Sequence, residues 1–247
     1  MSGHSKWATI RRDKEKNDSA RGRVFSKIIK ELTIAARLGG GEPGANPRLR
    51  TAVAAAKAAN MPSINIDRAI KKGTGELPGV SYEEVTYEAY GPGGTALLIE
   101  VMTDNRNRTV SEIRHLISKH GGNMGESGSV GWMFQRRGLI TIPSSQTDEE
   151  SLMLSALDAG AEDIEQVGDE FQVTTPPDRL ETVRAALEAS GLTPESAELA
   201  QIPQNYVPVS SEQARSVIKL MEILDEHDDV QKVWSNFDIP DELMAAL

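Results

Sequence analysis

The chain has 247 residues, 38% hydrophobic and 26% charged, which is too long for one small core and too apolar for a disordered polymer. It holds no cysteine, which excludes disulfides and thiolate metal sites, and no apolar run near the ~20 residues that cross a bilayer. Aromatics are 4%, too few for a broad base-stacking surface, and the formal charge of -10 is split into +10 over residues 1–75 and -20 over the rest.

A basic block on an acidic body has two readings. Either the block binds a polyanion, or it docks on the acidic part of the same chain. The first residues lack the apolar core of a secretory signal, so together with the missing cysteines a cytoplasmic, membrane-free protein is expected.

In chain order, the first ~20 residues show no apolar periodicity and read as a mobile basic arm. It carries Lys6, Trp7, Arg11 and Arg12; Trp7 either stacks on a base or anchors the arm to the protein. A helix is predicted next, capped among Asn17, Asp18 and Ser19 and ended by Gly39-Gly40-Gly41. Its apolar face is Phe25, Ile28, Ile29, Leu32 and Ala36. Arg23, Lys27, Lys30 and Arg37 fall near the opposite face and are expected to form an exposed binding stripe. A second helix follows in "NPRLRTAVAAAKAANMP", capped by Asn46 with Pro47 in its first turn. A third spans "SINIDRAIKKG", capped by Ser63 and stopped by Gly73. The stretch "GTGELPGVS" is a linker by composition.

Beyond it the period changes to two. "VTYEAY", "TALLIEVM" and "SVGWMF" read as strands, the first two joined by the turn "GPGG". The helix "TVSEIRHLISKHGG" lies between the last two, with Thr109 and Glu112 at capping-box spacing. The segments "GLITIP", "EESLMLSALDAG", "AEDIEQV", "EFQVTT", "PDRLETVRAALEAS" and "SAELAQI" then give βαββαβ, the ferredoxin-like order. One more helix, "EQARSVIKLMEILDEH", and one strand, "VQKVWSNF", complete the chain. The fold class expected is multidomain α+β, an all-α N-terminal domain followed by two α/β domains, one inserted in the other; the alternatives are a separate C-terminal domain or one larger sheet. The boundaries expected are 1–78 for arm and helical domain, 79–136 plus 205–247 for the middle domain, and 137–204 for the inserted ferredoxin-like unit.

Catalytic chemistry is poorly supplied. His115 and His120 are five apart on a helix and point some 140° apart, against the spacing of four that suits a zinc pair. "HDD" at 227–229 reads as a polar turn at a helix end. No nucleophile with a base, metal set or cofactor motif is found, so no enzyme, cofactor or metal is expected. What remains is charge. The candidate nucleic-acid-binding residues are Lys6, Trp7, Arg11, Arg12, Arg21, Arg23, Lys27, Lys30, Arg48, Arg50, Lys57, Arg68, Lys71 and Lys72. Arg106 and Arg108 precede or open a helix; they form either an anion site with its free N–H groups or ion pairs with Asp104 or Glu88.

The segments "SGHSKW", "RGRVFSKIIKEL", "NPRLRTAVAAAKAANMP", "IDRAIKKGTG", "YGPGG", "TDNRNRT", "GGNMGESGSV" and "DDVQKVWSNFDI", in this order, closely resemble the YebC family. That family includes PmpR and a mitochondrial translational activator. The resemblance spans nearly the whole chain. It implies three domains, a cytoplasmic location, no catalytic residues, and regulation of gene expression. The regulator would bind DNA in transcription or, alternatively, RNA or the ribosome in translation. A protein partner on the acidic domains is a further expectation.

Overall fold

A computed structural model describes residues 21–239. Three helices come first: α1 (Arg21–Gly39), α2 (Pro47–Ala58) and α3 (Ser63–Thr74). Leu32, Ala35 and Ala36 of α1 are buried with Leu49, Ala52 and Ala56 of α2 and Ile66 and Ala69 of α3, while Phe25, Ile28 and Ile29 pack at the edge. The predicted apolar face of α1 is therefore the face that folds inward.

The ends of these helices have local causes. The chain leaves α1 through Gly40 at φ 85°. The Asn46 side chain accepts the Leu49 N–H at the start of α2 and donates to the Ala35 and Gly40 carbonyls, tying α2 to the end of α1. Two expectations for α3 are corrected. Pro62, which has no side-chain acceptor, occupies the cap position, and Ser63 is the first helical residue. Gly73 does not stop the helix; the left-handed Gly75 at φ 83° does. A Cβ on Gly73 would lie 2.4 Å from the Thr33 carbonyl, so its role is the close approach of α3 to α1. The caps proposed at Asn17, Asp18 and Ser19 lie outside the described residues.

Strands β1 (Glu83–Tyr90) and β2 (Ala96–Thr103) form an antiparallel hairpin closed by Gly91 to Thr95, in which Gly93 and Gly94 take positive φ. Helix α4 (Arg106–Lys119) leads to a two-residue strand β3 (Asn123–Met124), which pairs with the free edge of β1. "SVGWMF" is not a strand. Residues Gly131–Met133 make a 3-10 turn, and the next strand, β4 (Phe134–Pro143), starts only at Phe134.

From β4 the chain runs through α5 (Glu149–Asp158), β5 (Asp163–Val167), β6 (Glu170–Thr175), α6 (Leu180–Ala189) and β7 (Ser196–Pro203). The sheet order is β5-β6-β4-β7 with every neighbour antiparallel, the arrangement of a βαββαβ unit. After the short β8 (Val207–Pro208), helix α7 (Ser211–Asp225) begins with a Ser210–Gln213 capping box. Strand β9 (Val230–Ser235) then pairs with β2, and β10 (Phe237–Asp238) pairs with β8. The late chain thus rejoins the early sheet, ordered β3-β1-β2-β9, and the βαββαβ unit is inserted between its strands.

Strand β2 is buried on both faces, which explains its apolar run "ALLIEVM", interrupted only by the half-buried Glu100. Leu97, Ile99 and Val101 meet Ile113 and Ile117 of α4 and Val217, Leu220 and Met221 of α7. Ala96 and Leu98, on the other face, meet Phe134, Leu139, Ala200 and Trp234, which joins the two α/β units by an apolar contact. No helix among the described residues is long and apolar enough to cross a membrane.

Candidate nucleic-acid interface

The cations of the helical domain fall into two groups. The first is committed to the rest of the protein, and it includes most of the stripe expected on α1. The Lys30 ammonium lies 2.6 Å from Asp229 Oδ1, donates to the Asp228 and Met102 carbonyls, and sits 5.6 Å from the Tyr82 ring centroid. The residue is only 8% exposed. Lys27 reaches Asp225 at 3.0 Å and donates to its carbonyl. The exposed-stripe reading of Lys27 and Lys30 is therefore corrected: that face of α1 is covered by the end of α7 and the turn before β9. Arg23, on the same helix, is half-buried. Arg48 is held by both oxygens of Glu31 and by Glu84. Arg37, which is exposed, donates to Ser81 Oγ and the Tyr82 carbonyl.

The second group is free. Lys57 lies in the last turn of α2, and Arg68, Lys71 and Lys72 lie on α3; all four are exposed, and none has an ion-pair partner among the described residues. Arg68, Lys71 and Lys72 are spaced i, i+3, i+4 and share one face with the exposed Ile64, opposite the buried Ile66 and Ala69. The exposed cation stripe of this domain belongs to α3, not α1. Arg50 is exposed too, with its guanidinium on the Pro43 and Gly44 carbonyls. Arg21 opens α1, and its side chain is outside the described residues, as are Lys6, Trp7, Arg11 and Arg12.

Arg108 does not build an anion site. Its guanidinium meets Asp229 at 2.7 Å and Asp104 at 3.0 Å, with Glu112 at 3.9 Å. Three carboxylates leave no net positive charge for a ligand. The first turn of α4 is also capped from within, because Asn105 Oδ1 accepts the Arg108 N–H. The expected Thr109–Glu112 capping box is likewise corrected. Thr109 is inside the helix, and its hydroxyl lies between Asp229 Oδ2 and Thr103 Oγ1. Arg106 is exposed at the helix start. Glu88 does not pair with either arginine; its carboxylate accepts the N–H groups of Gly128, Val130 and Gly131 and holds the glycine-rich loop after β3.

Asp229 is the residue on which these contacts converge, and sequence reasoning passed over it as part of a polar turn. Burial alone would raise its pKa. Hydrogen bonds from Lys30, Thr109 and Arg108 outweigh that effect and hold the carboxyl well below the usual carboxylate range. Glu112, His227 and Asp229 place ligand atoms within 4.8 Å of one another. The donor set does not fit a metal ion. Both Asp229 oxygens are bonded to Lys30, Arg108 and Thr109, and His227 Nδ1 accepts the Asp229 N–H while Nε2 faces Glu112 at 3.0 Å. An ammonium and a guanidinium at the same carboxylate would repel a second cation.

These features define a multidomain α+β protein in which a cationic helical domain is ion-paired to a strongly acidic pair of α/β units. Residues 5–76 match the model of the TACO1/YebC protein N-terminal domain, and residues 82–237 match that of the TACO1/YebC second and third domain. The chain belongs to the TACO1/YebC family. It is 56% identical over 245 residues to a "Probable transcriptional regulatory protein" of Desulfatibacillum aliphaticivorans, covering 99% of each chain. A protein with the same description from Carboxydothermus hydrogenoformans is 55% identical over 244 residues, covering 98% of this chain and 100% of the relative. Among solved structures, a conserved hypothetical protein from Aquifex aeolicus has a TM-score of 0.84 at 49% identity, over 91% of this chain and 93% of that one.

Proposed function

We propose that this protein is a non-enzymatic, nucleic-acid-binding regulator of gene expression acting in the cytoplasm. Its helical domain contacts the phosphate backbone. The observation that carries this reading is the α3 stripe of Arg68, Lys71 and Lys72, exposed and unpaired among the described residues in the one domain of positive net charge. Lys57 and Arg50 on α2 are further exposed cations of the same domain. Free cations on a rigid helix release counterions from a nucleic acid without first breaking an internal ion pair. The transcriptional descriptions of the relatives put duplex DNA first among targets.

Lys71 and Lys72 also lie in the last turn of α3, where positive charge suits the helix dipole whatever else it does. Binding measurements separate the two roles. The triple variant Arg68→Gln, Lys71→Gln, Lys72→Gln is compared with the parent on duplex DNA and on structured RNA across a salt series. The expected result on the preferred target is weaker binding and a log K against log salt slope shallower by roughly 2 to 3, at ~0.9 per phosphate for duplex DNA. An unchanged slope on both nucleic acids would refute the α3 interface. A response confined to RNA would move the target from transcription to translation.

A further inference from the structure

The inserted unit is charged in the opposite sense. Residues 137–204 hold 14 aspartates and glutamates against three arginines and no lysine, a net -11. A surface of that charge repels nucleic acid, so what it faces is chemically different from what α3 faces. On it, helix α5 buries Leu152 and Ala156 against the sheet and leaves Met153 39%, Leu154 68% and Leu157 46% exposed. Three large apolar side chains on one short helix form a patch, unlike the scattered apolar residues any surface carries.

The patch has a defined charge pattern. At about 100° per residue, Glu150, Leu154 and Asp158 stand in one column, one turn apart, and Met153 and Leu157 stand in the adjacent column. Glu150 and Asp158 are exposed and have no ion-pair partner among the described residues. Asp158 is the last residue of α5, and the last turn has no basic residue, so this carboxylate opposes the helix dipole. Asp158 therefore does not serve the stability of the helix end.

We propose that this face of α5 is the docking surface for a lysine- or arginine-rich amphipathic helix of a protein partner. The partner's apolar stripe covers Met153, Leu154 and Leu157, and its cations flank Leu154 on Glu150 and Asp158. A second copy of this chain would bring like charge to like charge, and a neutral apolar helix would leave both carboxylates desolvated and unpaired. The inference does not depend on the nucleic-acid reading, because it uses neither the helical domain nor its cations.

The test uses the full chain and a synthetic 18-residue peptide with leucines on one helical stripe and lysines elsewhere. Controls are a peptide of the same composition with dispersed leucines and one with glutamate for lysine. The expected result is that amide shifts in the NMR spectrum centre on residues 150–158 with the segregated peptide and are absent with both controls. The variant Leu154→Glu with Leu157→Glu should weaken binding at least about tenfold with an unchanged melting temperature, and Glu150→Lys with Asp158→Lys should do the same. Equal binding of the dispersed peptide, shifts centred elsewhere, or unchanged affinity in either double variant would overturn the proposal. So would self-association lost on Leu154→Glu, which assigns the face to a second copy. A crosslink from α5 to residues 1–20 of the same molecule would overturn it as well, by assigning the face to the chain's own start.

Discussion

Asp229 is 3% exposed and accepts from Lys30, Arg108 and Thr109, so one carboxylate links the helical domain, the start of α4 and the turn before β9. Breaking a buried pair leaves an uncompensated charge, which costs about 3–5 kcal/mol. Asp229→Asn puts an amide donor against three donors and should lose a comparable amount, measured by urea unfolding at pH 7. The folded-state carboxyl is depressed by Lys30, Thr109 and Arg108 against the opposing effect of burial. Its stabilisation is therefore complete above the unfolded-state pKa near ~4 and is lost as pH falls below that value. The parent should lose stability more steeply than Asp229→Asn between about pH 4.5 and pH 2. Glu88 gives a second prediction. Burial pushes its carboxyl up, but the N–H groups of Gly128, Val130 and Gly131 prevail and lower it. Glu88→Gln keeps a single acceptor oxygen for three donors. Amide exchange at Gly128, Val130 and Gly131 should accelerate by roughly ten- to a hundredfold, the loss of about 1.5–3 kcal/mol for hydrogen bonds to a charged group.

At the scale of elements, α3 shows two effects in competition. Glycine inside a helix costs about 1 kcal/mol relative to alanine, so propensity alone makes Gly73→Ala stabilising. The Cβ would meet the Thr33 carbonyl at 2.4 Å and the Ala36 Cβ at 2.8 Å, both on α1. Backbone cannot turn aside as a flexible side chain can, and overpacking of this kind costs about 1–3 kcal/mol. The clash should win. Gly73→Ala is expected to lower the stability of the helical domain by up to roughly 2 kcal/mol, read as an earlier loss of helical circular dichroism in urea. An increase in stability would show that α3 can shift away from α1 at little cost.

For the whole molecule, the placement of the helical domain rests on the cations that it directs inward. Lys27→Met, Lys30→Met and Arg48→Met together remove the ties to Asp225, Asp229 and Glu84 and leave Asp229 with Arg108 and Thr109, while Leu32, Leu49 and Ile66 keep their own core. The expected outcome is a helical domain that stays folded but detaches. Small-angle scattering should show a larger radius of gyration with helical circular dichroism unchanged. Joint loss of helix and compactness would mean that the domain does not stand without its partner. The same division of charge separates the two proposed surfaces, with α3 facing a polyanion and α5 facing a polycation, so neither ligand competes for the other's site.

Local physics made much of this protein legible in its sequence. The 3.6-residue period of Phe25, Ile28, Ile29, Leu32 and Ala36 picks out the buried face of α1, since a helix must cover its apolar stripe. Asn46 before Pro47 marks the start of α2, and the alternation of period-two and helical segments reads as βαββαβ. Which lysine faces solvent was not legible. Lys27 and Lys30 look like Lys71 and Lys72 in periodicity and charge, but their partners Asp225 and Asp229 lie about 200 residues away in sequence. Around Arg108, Asp104 and Glu112 lie four residues away, and Asp104 was legible as a partner, but Asp229 lies 121 residues away, and the role of Gly73 depends on the backbone of another helix. Periodicity follows from the rotation per residue along one helix or strand and is visible in any short window. Ion pairing follows from distance through space, which the chain acquires only when β9 returns to β2 and brings Asp229 against α1.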